Sequence, residues 1–544
     1  MLSVENRYWE SVRKTLIYNQ VLPKNKYLTL FRNSIAKYKN DYFVLSRLMD
    51  GQEVFICISD GKIISSLGEL IWKKVINEDF IINVFPTDAS VVDNFCREIN
   101  PGKGPQALGA VSRLGIGVRM STAVWPGIWS ALTKKSFSSN AIQNSLRELN
   151  LLDDLRKGKP QKKNYLFSFG EVEEGHTGST FEGLWVYGVL DSLKYKINQK
   201  FGADADHIQI KKGKGIERAK EVIKAARYYS FYTLDVSDIL NYSAIYGNVS
   251  GEKYLNIIED ESERKRIINF HVKKNKVLGL ESIIDKALIG RLIGKYWEAL
   301  NTLEELNHYI LNVRDGKEFD LELSIDETPP ELDIFKTLTS ESEVAFIINE
   351  AQRRGIGLTH IAPNFGIEKG VDYRCPGGLD VLKERVIHLH QIASNNNIML
   401  DCHSGDDLKS ETRKIFGEAT NGNIHYKVSP MLQNIFAETL FDYDHKIFYF
   451  WWDATFDYVK QKANEGLEFA VKSIKKFNNT KKHIPSPYHD LFQYYSYAIV
   501  GLRDSNNNFI LRDKFYSLPS DFYNNYQSRV EKYLLEIAND IFLI

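Results

Sequence analysis

Cysteine is scarce: Cys57, Cys96, Cys375 and Cys402 are the only four, and no two of them form a CxxC pair. That argues against a zinc ribbon or a disulfide framework and fits a reducing cytoplasm. Long apolar runs are lacking too. No stretch approaches the ~20 apolar residues that span a bilayer, and the opening MLSVENRYWESVRK is charged, without the apolar core of a signal peptide. The expectation is a cytoplasmic protein with no membrane partner. An excess of one charge is absent as well: 70 basic residues balance 70 acidic ones, so no field favours nucleic acid. There is no tandem repeat or low-complexity tract. The segment KKGKGIERAKE follows a strand pattern and opens a helix, so its amides and Lys211 or Lys212 could hold a carboxylate or phosphate. It lacks the third glycine of a dinucleotide fingerprint and the lysine-serine pair of a Walker loop.

What is present is apolar material for a sizeable core, 43% of 544 residues with 12% aromatic, enough for one large domain with appendages. Residues 1–110 read as a small α/β cap, with a hairpin signal at Asp50-Gly51 inside YFVLSRLMDGQEVFICISDGK. From residue 111 to 440, strand-like runs alternate with helical patterns. The spacing predicts strands at 113–121, 164–171, 207–211, 231–236, 320–327, 356–363, 398–403 and 423–429. Eight such units predict an α/β fold of the (β/α)8 class, a TIM-like barrel, with an open doubly wound sheet as the alternative. The connection of about 85 residues after Val236 must carry helices of its own. Residues 441–544 read as a helical, aromatic C-terminal extension.

The most informative stretch runs from Ile398 to Ser429, where two short strands flank a charged helix and carry two of the chain's twelve histidines. Period two puts Met399, Asp401 and His403 on one face, and His425, Lys427 and Ser429 on the corresponding face of the second strand. The same parity turns His207, Gln209, Lys211, Thr233, Asp235, Glu322, Ser324 and Asp326 inward. A lumen this rich in ionisable groups suits a charged or polyhydroxylated ligand, since buried charges are costly unless paired or bound to a metal. Two imidazoles and a carboxylate make a common divalent-metal set, and Asp326, His403 and His425 can supply it from three strand ends. A lone histidine is more often a satisfied core group, and His360 is assigned to packing. Glu171, in EVEEGHTGSTFEG, can reach the pocket mouth or sit in a solvated loop.

The stretches DETPPELDIF, RRGIGLTHIAPNFGIEKGVDY, HSGDDLKSE and IHYKVS resemble the tagaturonate epimerase family, and the resemblance reaches weakly to RLGIGVRMSTA and FYNNYQSRVEKYL. It implies a metal-dependent isomerase that interconverts the keto sugar acids tagaturonate and fructuronate. It also implies that Glu327 is a catalytic acid or base, that His403 is a metal ligand and that Lys427 meets substrate. The chain departs from the family pattern in reading HSGDD, where a serine is expected between glycine and aspartate, and VSP after the lysine.

The inverted carbon lies β to the ketone, so its hydrogen is not acidified and enolisation cannot epimerise it. Without a nicotinamide fingerprint, retro-aldol cleavage and re-addition is the route left. On that scheme Glu171 and Glu327 are the acid/base pair, and Asp326, His403 and His425 hold a divalent ion (Zn, Mn or Ni). Lys211, Asp406 and Lys427 grip a small-molecule sugar acid. The sequence leaves a homo-oligomer open. Two other readings share the pocket: a metal-dependent aldolase or aldose–ketose isomerase, and a non-catalytic sugar-acid binding protein.

Overall fold

The structure, a computed structural model, describes residues 4–60, 67–77, 80–145, 164–165, 171–172, 181–277, 285–329, 331–368, 370–480, 483–500, 504–506 and 510–544. The N-terminal unit is an antiparallel sheet of β1 (Leu28–Leu30), β2 (Ala36–Tyr38), β3 (Asp41–Leu48), β4 (Glu53–Ser59), β5 (Trp72–Asn77) and β6 (Phe80–Phe85). The β3–β4 hairpin turns where Asp50-Gly51 predicts it, with Gly51 at φ 94°, a conformation that glycine adopts without a Cβ penalty. Alternation along β3 and β4 splits the apolar residues between two faces. Val44, Val54, Ile56 and Ile58 pack on Trp9 and Val12 of the helix Asn6–Ile17, whereas Phe43, Leu45, Phe55 and Cys57 join the main core. The sheet is thereby docked on the rest of the chain.

Eight parallel strands close a barrel in the order β11-β12-β13-β14-β15-β16-β7-β8. These are β7 (Arg113–Gly117), β8 (Ser138–Ser145), β11 (Phe201–Gln209), β12 (Phe231–Asp235), β13 (Asp320–Ser324), β14 (His360–Ala362), β15 (Met399–Cys402) and β16 (His425–Val428). Six of them lie within the predicted runs; two expectations need correction. The run 164–171 is not a barrel wall: residues 164–165 and 171–172 form a separate two-residue antiparallel pair, β9 and β10. The second wall strand is SSNAIQNS, which has only one β-branched apolar residue and so little strand signature. The run 207–211 is the tail of a longer strand that begins at Phe201, and β11 carries a register shift against β12 between Ala205 and Ile208.

The long connection after β12 is helical, as required. Its main element, Lys286–Val313, starts at Asp285, whose carboxylate caps the Leu288 amide. Beyond β16 the chain is helical too. The last helix, Ser520–Phe542, packs against both Trp125–Lys134, which follows β7, and Ser410–Thr420, which follows β15. Two glycines allow that approach. A Cβ on Gly127 would lie 2.7 Å from the Gln527 carbonyl oxygen, and one on Gly417 would lie 2.5 Å from that of Asp540. The C-terminal helix thus occupies a place in the barrel's outer ring, not merely a position beyond it. Among the described residues no helix is long and apolar enough to cross a membrane.

Candidate active site

The lumen is built by the pleat. Arg113, Gly115 and Gly117 face inward from β7, opposite His425 and Lys427 of β16 and Ser429 just beyond it. A Cβ on Gly115 would lie 2.6 Å from Lys427 and 2.8 Å from His425, and one on Gly117 would lie 2.2 Å from Ser429. These glycines make the room that the larger side chains fill. At the floor, Arg113 pairs with Asp320 at 2.8 Å, and the rings of Phe231 and His360 each lie 5.3 Å from His425. His360 is therefore a packing residue, as expected, but it packs inside the barrel. Burial depresses its imidazole well below the ordinary range.

Above this floor, Lys427 sits among four carboxylates. Its ammonium lies 2.9 Å from Asp206, 2.9 Å from Glu322, 3.3 Å from Asp204 and 3.4 Å from Asp401, and it donates to Thr233 at 2.9 Å. Burial alone would lower its pKa; the surrounding acids overcome burial and raise it well above the ordinary value. Gln143 donates to Asp206 at 3.0 Å and Thr233 to Asp204 at 3.1 Å. His403 bridges this group to the next. Its Nε2 lies 2.7 Å from Glu322 and its Nδ1 3.2 Å from Asp326. Burial opposes its charge, but Asp326 and Glu322 prevail and push its pKa well up, which favours the imidazolium. On the mouth side the His207 ring lies 4.9 Å from that of His403, with His207 Nδ1 3.7 Å from Asp235.

The acids outnumber the cations. Burial raises Glu322 well above the usual carboxylate range, with the Asp401 charge adding to it, and burial lifts Asp204 to about 7 although Lys427 opposes it. Asp401 and Asp206 feel the same burial but are held below the usual range, Asp401 by His425 and Lys427, Asp206 by Lys427, His207 and His403. His425 Nδ1 is 2.7 Å from Asp401, yet burial keeps its pKa down at about 4. The cluster thus has more acid than its cations can balance, and burial favours the neutral form of Glu322 and Asp204.

Two groups have ligand atoms close enough to hold one ion: Glu322 with Asp401 and His403, and His207 with Asp235 and Glu327. Oδ1 of Asp401 and Nδ1 of His207 are buried and make no aligned hydrogen bond, whereas Oδ2 of Asp401 and Oε2 of Glu322 are within ion-pair reach of His425 and Lys427. Carboxylate and imidazole donors left in this state fit a divalent ion. The expected trio Asp326, His403 and His425 is divided: Asp326 is on the Nδ1 edge of His403, while His425 meets Asp401 and Glu322 on the other side. Parity identifies the face but not the depth, and His425 lies in register with Asp401, two residues below His403.

The other expected residues fall in different places. Asp406 is buried at the cavity edge and accepts from the Ser429 and Met431 amides; burial, then the neighbouring Asp407, raise it to about 6. Lys211 is more than half exposed and pairs with Asp238 at 2.5 Å, so its side chain is outside the lumen group. The Glu171 side chain lies outside the described residues. A cavity of about 190 Å³ opens over the site, lined by Arg119, Gln143, Asp206, His207, His403 and Lys427, with Tyr494 and Tyr497 from the C-terminal extension. Sequence reasoning missed Asp204 and Asp206, although FGADAD alternates as a strand should. It had no signal for Tyr494 and Tyr497, which reach the mouth only through tertiary packing.

Fold and site can be set beside known proteins. The family model of tagaturonate epimerase (UxaE) matches residues 173–537, more than half of the chain. A structure of fructuronate-tagaturonate epimerase UxaE from Cohnella laeviribosi superposes with a TM-score of 0.67 at 17% identity, covering 98% of this chain and 99% of that one. The native structure of that protein gives 0.66 at 16% identity over the same shares. At such identities these likenesses speak to the fold. No curated protein sequence matches. With the family model spanning the lumen strands β11 to β16 and the C-terminal helices, the chain belongs to the tagaturonate epimerase family, a family of carbohydrate epimerases.

Proposed function

We propose that this chain interconverts tagaturonate and fructuronate by breaking and remaking a carbon–carbon bond, in a site completed by a divalent cation. The observation that carries the reading is the surplus of carboxylates around one cavity, where Asp204, Asp206, Glu322 and Asp401 all lie within 3.4 Å of the Lys427 ammonium. Of the two ion-sized groups, His207, Asp235 and Glu327 are favoured as the holders. The alternative, Glu322 and Asp401, already has the Lys427 ammonium against it, and a second cation there would meet like charge. When bound, a Zn, Mn or Ni ion supplies positive charge that polarises the substrate ketone. On this geometry Glu327 serves to hold the ion rather than to move a proton.

The residues themselves supply the acid and the base. Asp206, a charged carboxylate on the cavity wall, takes the proton from the hydroxyl on the carbon to be inverted. That hydroxyl becomes an aldehyde as the bond to the neighbouring carbon breaks, and the bonding electrons pass to the former ketone oxygen. His403, an imidazolium on the same wall, holds a proton at that oxygen. Rotation of the aldehyde presents its other face, and re-addition returns the proton from Asp206, so nothing is consumed. Lys427 keeps Asp206 and Asp401 ionised and adjacent in the lumen; its charge is committed to acids rather than to a substrate carboxylate.

Turnover in D₂O is the test, with a foreign aldehyde added in a parallel reaction. The inverted carbon should carry no deuterium, because an aldehyde C–H does not ionise, and a crossover product should form. Deuterium at that carbon would exclude the route. Retained hydrogen with no crossover and a tightly held nicotinamide would replace it by transient oxidation.

A further inference from the structure

A second, larger cleft of about 440 Å³ lies at the opposite end of the barrel, between its floor and the N-terminal unit. One wall is the segment Asp93–Arg97 with the link 101–107; the other is formed by residues that lead into three strands, Lys200 before β11, Arg227 and Tyr228 before β12, and Arg314, Lys317 and Glu318 before β13. Five basic side chains line it, Arg97, Lys200, Arg227, Arg314 and Lys317, against two acidic ones, Asp93 and Glu318. Asp93 is shared between Arg97 at 2.9 Å and Lys317 at 3.1 Å, and Arg227 reaches Glu182 at 2.7 Å.

Arg314 is the telling member. It is 7% exposed, and its guanidinium is spent on backbone carbonyls, those of Tyr229 and Glu318 among them, so among the described residues no carboxylate pairs with it at contact distance and only the more distant charges of Asp93 and Asp320 oppose its own. Lys200, exposed at the rim, likewise has no ion pair among the described residues. A buried cation with no counter-ion in contact is costly, and a concavity lined by more basic than acidic groups concentrates anions. The volume is in the range of metabolite pockets.

We infer that this floor cleft binds a small polyanion, a phosphate or a polycarboxylate of metabolite size, at a site separate from the catalytic mouth. The lining identifies the charge rather than the head group, so two probes are needed. Sodium pyrophosphate and sodium citrate are titrated separately into the full-length protein by isothermal calorimetry at constant ionic strength, for the wild type and for the double variant Lys200→Gln/Lys317→Gln. Both replaced side chains are at the rim, so epimerase activity and the unfolding midpoint without ligand should be unchanged. One anion or both should bind the wild type and weaken by about tenfold or more in the variant, the loss of roughly one charge-assisted contact. Pyrophosphate alone would identify a phosphate site, and citrate alone a polycarboxylate site. No binding at millimolar concentration, or equal affinity in the two proteins, would overturn the inference.

Discussion

Tyr494, in the short helix Asp490–Tyr495 of the C-terminal extension, has its hydroxyl oxygen 2.7 Å from each carboxylate oxygen of Asp407, in the loop that leaves β15. Asp407 also accepts from Gln493 at 3.2 Å and from the Gly370 amide at 3.0 Å, so one carboxylate fastens the extension across the mouth of the barrel. Tyr494→Phe keeps the ring and removes the tie. A hydrogen bond to a charged group is worth about 1.5–3 kcal/mol, so the melting temperature is expected to fall, and with the roof loosened KM for tagaturonate is expected to rise while kcat is little changed. An unchanged KM would mean that the roof does not touch substrate.

His207 and His403 should separate metal retention from turnover. His207→Ala removes a member of the favoured ion-holding group, and its metal content after dialysis against a chelator, read by plasma mass spectrometry, should fall to background. His403→Ala should retain its metal and lose about 10²–10⁴-fold in kcat, the usual loss for a general acid. The reverse pattern would move the ion to the Glu322–Asp401–His403 group.

Replacing Lys427 with methionine keeps the stem and leaves four acids without their cation. Breaking a buried pair in this way costs about 3–5 kcal/mol. Because protonated acids need no counter-ion, the stability gap between variant and wild type should narrow as pH falls from 8 to 5, through the value of about 7 held by Asp204. Activity on a uronate and on the matching neutral ketose should fall alike. A loss confined to the uronate would show that Lys427 grips the substrate carboxylate after all. Denaturant midpoints at the two pH values and paired kinetics decide the matter.

Glu350, buried in the helical layer, lies 2.9 Å from His271 Nε2 and accepts from Arg353 and Arg354. Burial would raise its pKa, but His271 and Arg353 lower it from 4.5 to about 2. A depressed carboxyl stabilises the fold above its unfolded pKa, and that stability is lost as pH falls from about 4.5 towards 2. Glu350→Gln should therefore lower the melting temperature at pH 7 and flatten its acid limb. An acid limb parallel to the wild type's would show that other carboxylates set it.

Much of the barrel is legible in the sequence because β12 to β16 alternate between apolar residues that meet the helices and polar residues that meet the lumen. Asp235, Glu322, Asp401, His403 and Lys427 are all readable from that period. β8 escapes the same reading. Its lumen residues Asn140 and Gln143 are polar, and its outer face has few branched side chains, so no contrast marks it as a strand. β11 misleads in another way: its register shift and the φ of 52° at His207 break strict alternation just where parity is being counted. Ion grouping is harder still to read, because it depends on depth along the axis, and depth follows from inter-strand register, which no single strand contains.

The seam between β16 and β7 joins His425 to Arg113, partners more than 300 residues apart. A chain emerging from the ribosome must hold β7 and β8 with no neighbour on one flank until nearly all the remaining strands have been made. Closure is then a late event of high contact order, slow and exposed to aggregation. A fragment that begins at residue 173, where the family match starts, would lack both early strands and leave β11 and β16 as bare edges. Removing the residues before 146 would therefore cost the fold its closure as well as two strands of its wall.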